Sequence, residues 1–133
     1  GLPGIPLALC FPDKKFVLLD SNGKKTRFLY QVRQQLKLNN VSIVEGRAET
    51  YQPEQGFDVV MSRAFADLNR MCHLTAHLLN ADGVWLAMKS QTVDTEISEL
   101  STSVEISEQI ELVVPGLEEL RQLVVLRRDE NKK

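Results

Sequence analysis

Hydrophobic positions in this chain alternate between two periods. Phe16-Val17-Leu18-Leu19 is an unbroken apolar run closed by Asp20, the pattern of a strand buried on both faces. Over residues 24–38 the spacing changes: Phe28, Leu29, Val32 and Leu36 share one helical stripe, with Arg27, Tyr30, Gln34 and Lys37 opposite. Asn39-Asn40 is expected to stop that helix, because asparagine tolerates the left-handed backbone of helix ends. Residues 41–44 read as a second strand, followed by a loop containing Gly46, and residues 57–61 as a third. Asp67 is placed to cap a helix running through Leu68, Met71, Leu74 and Leu78-Leu79. Asp82-Gly83 marks a turn before a fourth strand at 84–88, and residues 92–100 form a more polar helix.

The rhythm then changes. Residues 104–114 and 120–127 are β-rich runs joined by a short connection containing Pro115-Gly116, so they pair antiparallel. At the other end, Gly1-Leu2-Pro3-Gly4 before the apolar 5–11 reads as a glycine-rich loop entering a helix, with the strand that would precede it missing. The sum is an α/β, Rossmann-like fold. It is a mostly parallel sheet with helices on both faces, ending in an antiparallel pair and lacking its first strand. With 133 residues, 1–133 is expected to be a single domain, and Lys132-Lys133 its frayed tail.

Composition narrows the classes little. The chain is 43% hydrophobic and 26% charged, ordinary for a globular protein. A net charge of −2 argues against attachment to nucleic acid by overall charge, while leaving room for a local basic patch. No apolar run approaches the roughly 18 residues of a membrane helix, so no membrane is expected as a partner. The start shows no signal-peptide pattern either. Cys10 and Cys72 both sit in apolar surroundings without metal or redox spacing and read as buried free thiols, which favours a cytoplasmic setting.

Candidate chemistry gathers at strand ends. Asp20 ends the first strand, where an acidic side chain in a doubly wound fold can accept from both ribose hydroxyls of a nucleotide; a turn or capping role suits it equally. Glu49, in Gly46-Arg47-Ala48-Glu49 after the second strand, can receive an adenine amino group while a nearby backbone amide meets a ring nitrogen. Alone it is an ordinary surface glutamate, but paired with Asp20 it outlines an adenosine held by sugar and base. Arg63, in Ser62-Arg63-Ala64-Phe65-Ala66 after the third strand, could grip a carboxylate or phosphate with both nitrogens, or simply be a solvated loop residue. His73 and His77 share a helix face but lack partners at ligand spacing, so no metal is assigned. Lys24, Lys25, Arg27, Arg33 and Lys37 could contact RNA phosphates or form an ordinary solvated face.

Several stretches together resemble one family. Gly1-Leu2-Pro3-Gly4-Ile5-Pro6-Leu7-Ala8 is followed by Leu18-Leu19-Asp20-Ser21, Lys24-Lys25 and Arg27-Phe28-Leu29. Gly46–Glu49, Ser62–Ala66 and Leu123-Val124-Val125 continue the match in order. They are similar to the 16S ribosomal RNA guanine-N7 methyltransferases, also called glucose-inhibited division protein B. The resemblance implies a class I methyltransferase fold with S-adenosyl-L-methionine as cofactor. It also implies ribosomal RNA or a small-subunit ribonucleoprotein as the substrate-side partner.

By the same resemblance Leu2, Ala48, Glu49 and Arg63 are cofactor-binding positions; Gly1 is added from the glycine-rich loop and Asp20 from the ribose argument. The family's Asp-x-Gly-x-Gly segment lies upstream of Gly1, so this stretch is expected to hold the cofactor weakly. Its Lys-Gly is Lys89-Ser90 here, and its Arg-His is Arg121-Gln122. No catalytic base is assigned, since guanine N7 carries a lone pair and no proton. Two alternatives stand beside this reading: an NAD-binding Rossmann-type domain, which Asp20 would also suit, and a non-catalytic interaction module. A missing central strand would also expose sheet edges, so self-association is expected.

Overall fold

The computed structural model describes residues 4–62, 67–89, 94–112, 116 and 121–129. They belong to two compact units, residues 1–51 and 52–133, each with its own sheet. The first contains α1 (Gly4–Cys10), β1 (Phe16–Asp20), α2 (Gly23–Leu36) and β2 (Val41–Glu45). β1 and β2 run parallel, from Phe16 opposite Val41 to Asp20 opposite Glu45, and α2 is the crossover that parallel pairing demands. Ala8, Leu29, Leu38, Val41 and Ile43 form the core, with Ile5, Phe16 and Leu18 packed on it. The expectation that β1 is buried on both faces is corrected. All five residues are half-buried. A Cβ on Gly4 would strike Leu18, so glycine lets α1 settle onto the strand.

Both ends of α2 differ from expectation. It starts one residue early, capped by Asn22, whose side chain accepts the Lys24 N–H at 2.9 Å and the Lys25 N–H at 3.3 Å. It ends through Lys37, held left-handed at φ 53, and not through Asn39 or Asn40. The Leu38 N–H reaches Arg33 O at 3.0 Å and the Lys37 N–H reaches Gln34 O at 3.3 Å, an ending usually built with glycine. A lysine there costs about 1 kcal/mol relative to glycine. Asn40 is a latch instead. Its Nδ2 donates to the carbonyls of Ala8, Phe11 and Lys14 at 3.1, 3.1 and 2.9 Å, tying the α1–β1 connection to the start of β2.

The buried face of α2 is also rotated from the expected stripe. Thr26 and Leu29 are buried and Val32 half-buried, while Phe28 and Leu36 face solvent at 63% and 47% exposure. The reason lies in β2. Asn40 O accepts from Phe16 N and Gly46 N donates to Asp20 O, so even-numbered backbone groups of this strand face β1. Odd-numbered carbonyls therefore point to the open edge. Tyr30 Oη donates to Ile43 O at 3.1 Å and Arg33 Nε to Val41 O at 2.6 Å. Tyr30 and Arg33, both exposed, lie along that edge because it offers unpaired acceptors.

The second unit contains β3 (Phe57–Ser62), α3 (Leu68–Thr75) with a 3-10 turn at Ala76–Leu78, β4 (Leu79–Lys89), α4 (Asp94–Ser98), β5 (Val104–Leu112) and β6 (Arg121–Arg128). The sheet order is β3-β4-β6-β5. β3 and β4 are parallel, and β6 lies antiparallel to both β4 and β5. This bears out the terminal antiparallel pair. Asp67 caps α3 as expected, accepting the Arg70 N–H at 2.7 Å. The core follows from two periods: Leu68, Met71 and Cys72 on one face of α3 meet Trp85 and Ala87 of β4 and Val124 and Leu126 of β6. Thr75 joins them by accepting the Trp85 indole N–H at 2.9 Å while donating to Met71 O at 2.6 Å.

β4 begins earlier than the pattern suggests. Pairing with β3 jumps from Phe57–Leu79 to Val59–Val84, so Asp82-Gly83 sits within an irregularity of the strand and not in a turn before it. A Cβ on Gly83 would lie 2.9 Å from Asp58 O and 2.6 Å from Leu79 Cδ1. The cysteines are both free, but only Cys72 is buried; Cys10, at the end of α1, is exposed, which corrects the expectation for it.

Candidate functional site

Parallel strands bring their C-terminal ends to one edge, and in the first unit β1 and β2 place Asp20, Glu45 and the 46–51 loop there. Asp20 Oδ1 accepts the Asn22 N–H at 2.8 Å, so the carboxylate is oriented by the turn that starts α2. Its backbone carbonyl accepts the Gly46 N–H at 3.0 Å, joining the two strand ends. Asp20 thus has the local turn role that was its alternative reading, and this role fixes its carboxylate at the strand end.

Beyond Gly46 the chain makes one tight turn. Tyr51 N–H reaches Arg47 O at 3.1 Å and Thr50 N–H reaches the same carbonyl at 3.2 Å. Ala48 and Glu49 sit inside this turn, Ala48 half-buried and Glu49 exposed. Arg47 Nη1 stands 3.8 Å from Glu49 Oε1, a loose solvent-facing pair that contributes little by itself.

Glu45 is the residue that sequence reasoning missed. Its Oε1 lies 3.1 Å from Thr26 Oγ1, whose single proton is shared between it and Gly23 O at 3.0 Å. A Cβ on Gly23 would come within 2.8 Å of that carboxylate oxygen. Glu45 therefore lies over the first turn of α2, which has no acid of its own and carries Lys24 and Lys25. No local pattern announces this; the glycine at the first position of α2 is the sole trace.

Of the six sequence-derived cofactor positions, Asp20, Ala48 and Glu49 come together on one edge of one unit. Gly1, Leu2 and Arg63 lie outside the described residues. In the second unit the C-terminal end of β4 bears Lys89, paired with Glu96 at 2.8 Å; the same Glu96 Oε1 accepts the Leu68 N–H at 3.1 Å. The lysine is thus tied to the start of α3. His73 and His77, raised as a metal pair, are both exposed.

The donor set of the first unit suits a nucleoside. It offers one oriented carboxylate and one exposed carboxylate as acceptors for hydroxyl and amino groups, and backbone amides of the 46–51 loop as donors. The wider fold agrees. The chain is similar to the N-methyltransferase NodS of Bradyrhizobium japonicum WM9, solved with S-adenosyl-L-homocysteine, at TM-score 0.69 and 14% identity over 96% of this chain and 74% of that one. It is also similar to a putative methyltransferase of Thermoplasma acidophilum at TM-score 0.67 and 11% identity, over 87% of this chain and 58% of that one. The fold is that of the class I methyltransferases.

Sequence narrows the class further. The family model of rRNA small subunit methyltransferase G matches residues 1–125, and the chain belongs to that family. Relatives of that name include one from Ectopseudomonas mendocina, 50% identical over 96% of this chain and 60% of its own length. Another, from Shewanella amazonensis, is 52% identical over 95% and 61%. The chain spans about 60% of the length of the curated relatives it matches.

Proposed function

We propose that this protein acts in the S-adenosylmethionine-dependent methylation of guanine N7 in small-subunit ribosomal RNA. The observation that carries the reading is family membership across residues 1–125, together with the Asp20 and Glu49 carboxylates on the shared edge of β1 and β2. S-adenosylmethionine supplies a methyl group on a sulfonium, which the lone pair of guanine N7 can take without loss of a proton. The work of the protein is then alignment and electrostatics, with no general base required. Asp20, held by Asn22, would accept from the ribose hydroxyls. Glu49 would accept from the adenine amino group, and the amide of Ala48 would face a ring nitrogen. Leu2 and Arg63, by the family resemblance, and Gly1, by the glycine-rich loop, complete the cofactor set. The substrate is ribosomal RNA or a small-subunit ribonucleoprotein, the setting cytoplasmic, and self-association through strand edges accompanies the proposal. No helix among the described residues is long and apolar enough to cross a membrane.

The test is calorimetry with S-adenosylhomocysteine and NAD, alongside transfer of labelled methyl to small-subunit RNA. In the protein extended upstream of Gly1 through an Asp-x-Gly-x-Gly segment, Asp20→Ala should weaken S-adenosylhomocysteine binding by about 1–3 kcal/mol, the range for a charged hydrogen bond. An unchanged affinity would return Asp20 to its turn role alone, and tighter binding of NAD would overturn the reading.

A further inference from the structure

Charge divides unevenly along this chain. Residues 1–51 carry eight Lys and Arg against four Asp and Glu, net +4; residues 52–133 carry eight against fourteen, net −6. The overall −2 conceals this. Between Asp20 and Glu45 there are five cations, Lys24, Lys25, Arg27, Arg33 and Lys37, and no acid. Among the described residues no carboxylate pairs with any of the five. A solvated helix face ordinarily mixes both signs, since pairs three or four residues apart stabilise it.

The C-terminal half of α2 adds shape to this charge. Tyr30, Arg33, Gln34, Lys37, Leu38 and Asn39 line an open groove of about 470 Å³. Arg33 is fixed there by its Nε bond to Val41 O; among the described residues its two terminal nitrogens meet no acceptor. Tyr30 is fixed by its bond to Ile43 O. Lys37 stands at the groove in the left-handed conformation that favours glycine. That conformation presents its ammonium to the groove at a cost that glycine would not incur. The groove therefore offers a fork and a point charge as donors, an aromatic ring, and two side-chain amides.

We infer that this groove is an RNA backbone site, with Arg33 and Lys37 as its phosphate-binding cations. It rests on the ribosomal RNA reading above and extends it. The cofactor edge lies at the C-terminal ends of β1 and β2, whereas this groove is built by the C-terminal half of α2 and the residues that lead into β2. It would position RNA without reading sequence, because cations and amides at phosphates carry no base information.

Lys37→Gly tests this with unusual separation, because glycine relieves the left-handed backbone while deleting the charge. The probe is a fluorescein-labelled hairpin of small-subunit RNA, titrated into the chain by anisotropy at several salt concentrations. Lys37→Gly should weaken binding about fivefold and lower the salt slope by about 0.7–0.9, one phosphate contact, with thermal stability equal or higher. Gln34→Glu, exposed on the same turn of α2, should weaken binding similarly by placing an acid in the groove. Arg127→Gln, an exposed cation of β6, should change neither quantity.

Unchanged affinity and slope in Lys37→Gly would overturn the inference, as would an equal loss in Arg127→Gln. S-adenosylhomocysteine affinity and methyl transfer, measured on the same proteins, report on the parent reading. Wild-type protein that binds the hairpin through Lys37 but binds NAD more tightly than S-adenosylhomocysteine would overturn that reading and leave the groove standing.

Discussion

Arg128 lies over the ring of Trp85, its Cζ 5.6 Å from the ring centroid, while its nitrogens hold the end of the preceding helical segment. Nη2 donates to Ala76 O at 2.6 Å and Leu79 O at 3.1 Å, and Nη1 donates to Asn80 O at 2.8 Å. One side chain of the last strand thus satisfies three carbonyls where the 3-10 turn passes into β4. Lysine can neither fork across them nor stack as well. Arg128→Lys should destabilise the second unit by about 1.5–3 kcal/mol, read as a lower midpoint in urea.

Gly83 is glycine for a steric reason at a conventional backbone angle. Its missing Cβ would meet the backbone oxygen of Asp58, which cannot swing away as a side chain can. Gly83→Ala should cost about 1–3 kcal/mol, the range for overpacking. Gly46→Ala, where nothing lies within 4 Å, should be near neutral in the same titration.

Asn40 binds three carbonyls through one amide nitrogen. Asn40→Ala should lower the stability of the first unit by about 2 kcal/mol by removing the donor from the Ala8 and Lys14 carbonyls, while Phe11 O keeps the Lys14 N–H. Faster amide exchange in residues 11–16 than in the core of β2 would mark the release of that connection.

Burial pushes the Cys72 thiol from 9.0 up to about 12, so the folded protein keeps it protonated where the unfolded chain would lose the proton. Its folded pKa is raised, so this stability is fully present below pH 9 and is lost as pH rises toward 12. Urea midpoints should fall over that interval in wild type and fall less in Cys72→Ala. At pH 8, a thiol reagent should modify exposed Cys10 quickly and Cys72 only on unfolding.

Periodicity in the sequence was enough to place β1, β2, β3 and the antiparallel pair, because those signals are local. The Asp67 cap was legible for the same reason, since a side chain reaching three residues ahead needs no tertiary information. What could not be read depends on partners distant in sequence. The rotation of α2 is set by unpaired carbonyls on β2, and the length of β4 by its irregular pairing with β3. At the site, Asp20 and Glu49 were candidates from strand ends alone, and Ala48 only through the family resemblance. Glu45 was not, because its part is defined by Thr26 and Gly23 across the crossover.

Tryptophan and tyrosine divide by unit in this chain. Trp85, its single tryptophan, is 1% exposed in the core of the second unit; both tyrosines, Tyr30 and Tyr51, belong to the first. Each unit therefore carries its own chromophore. Indole emission follows the melting of one, and phenol absorbance that of the other, in a single untagged sample. Coincident curves would mean that the two units unfold as one cooperative body, and separated curves that each holds together by itself.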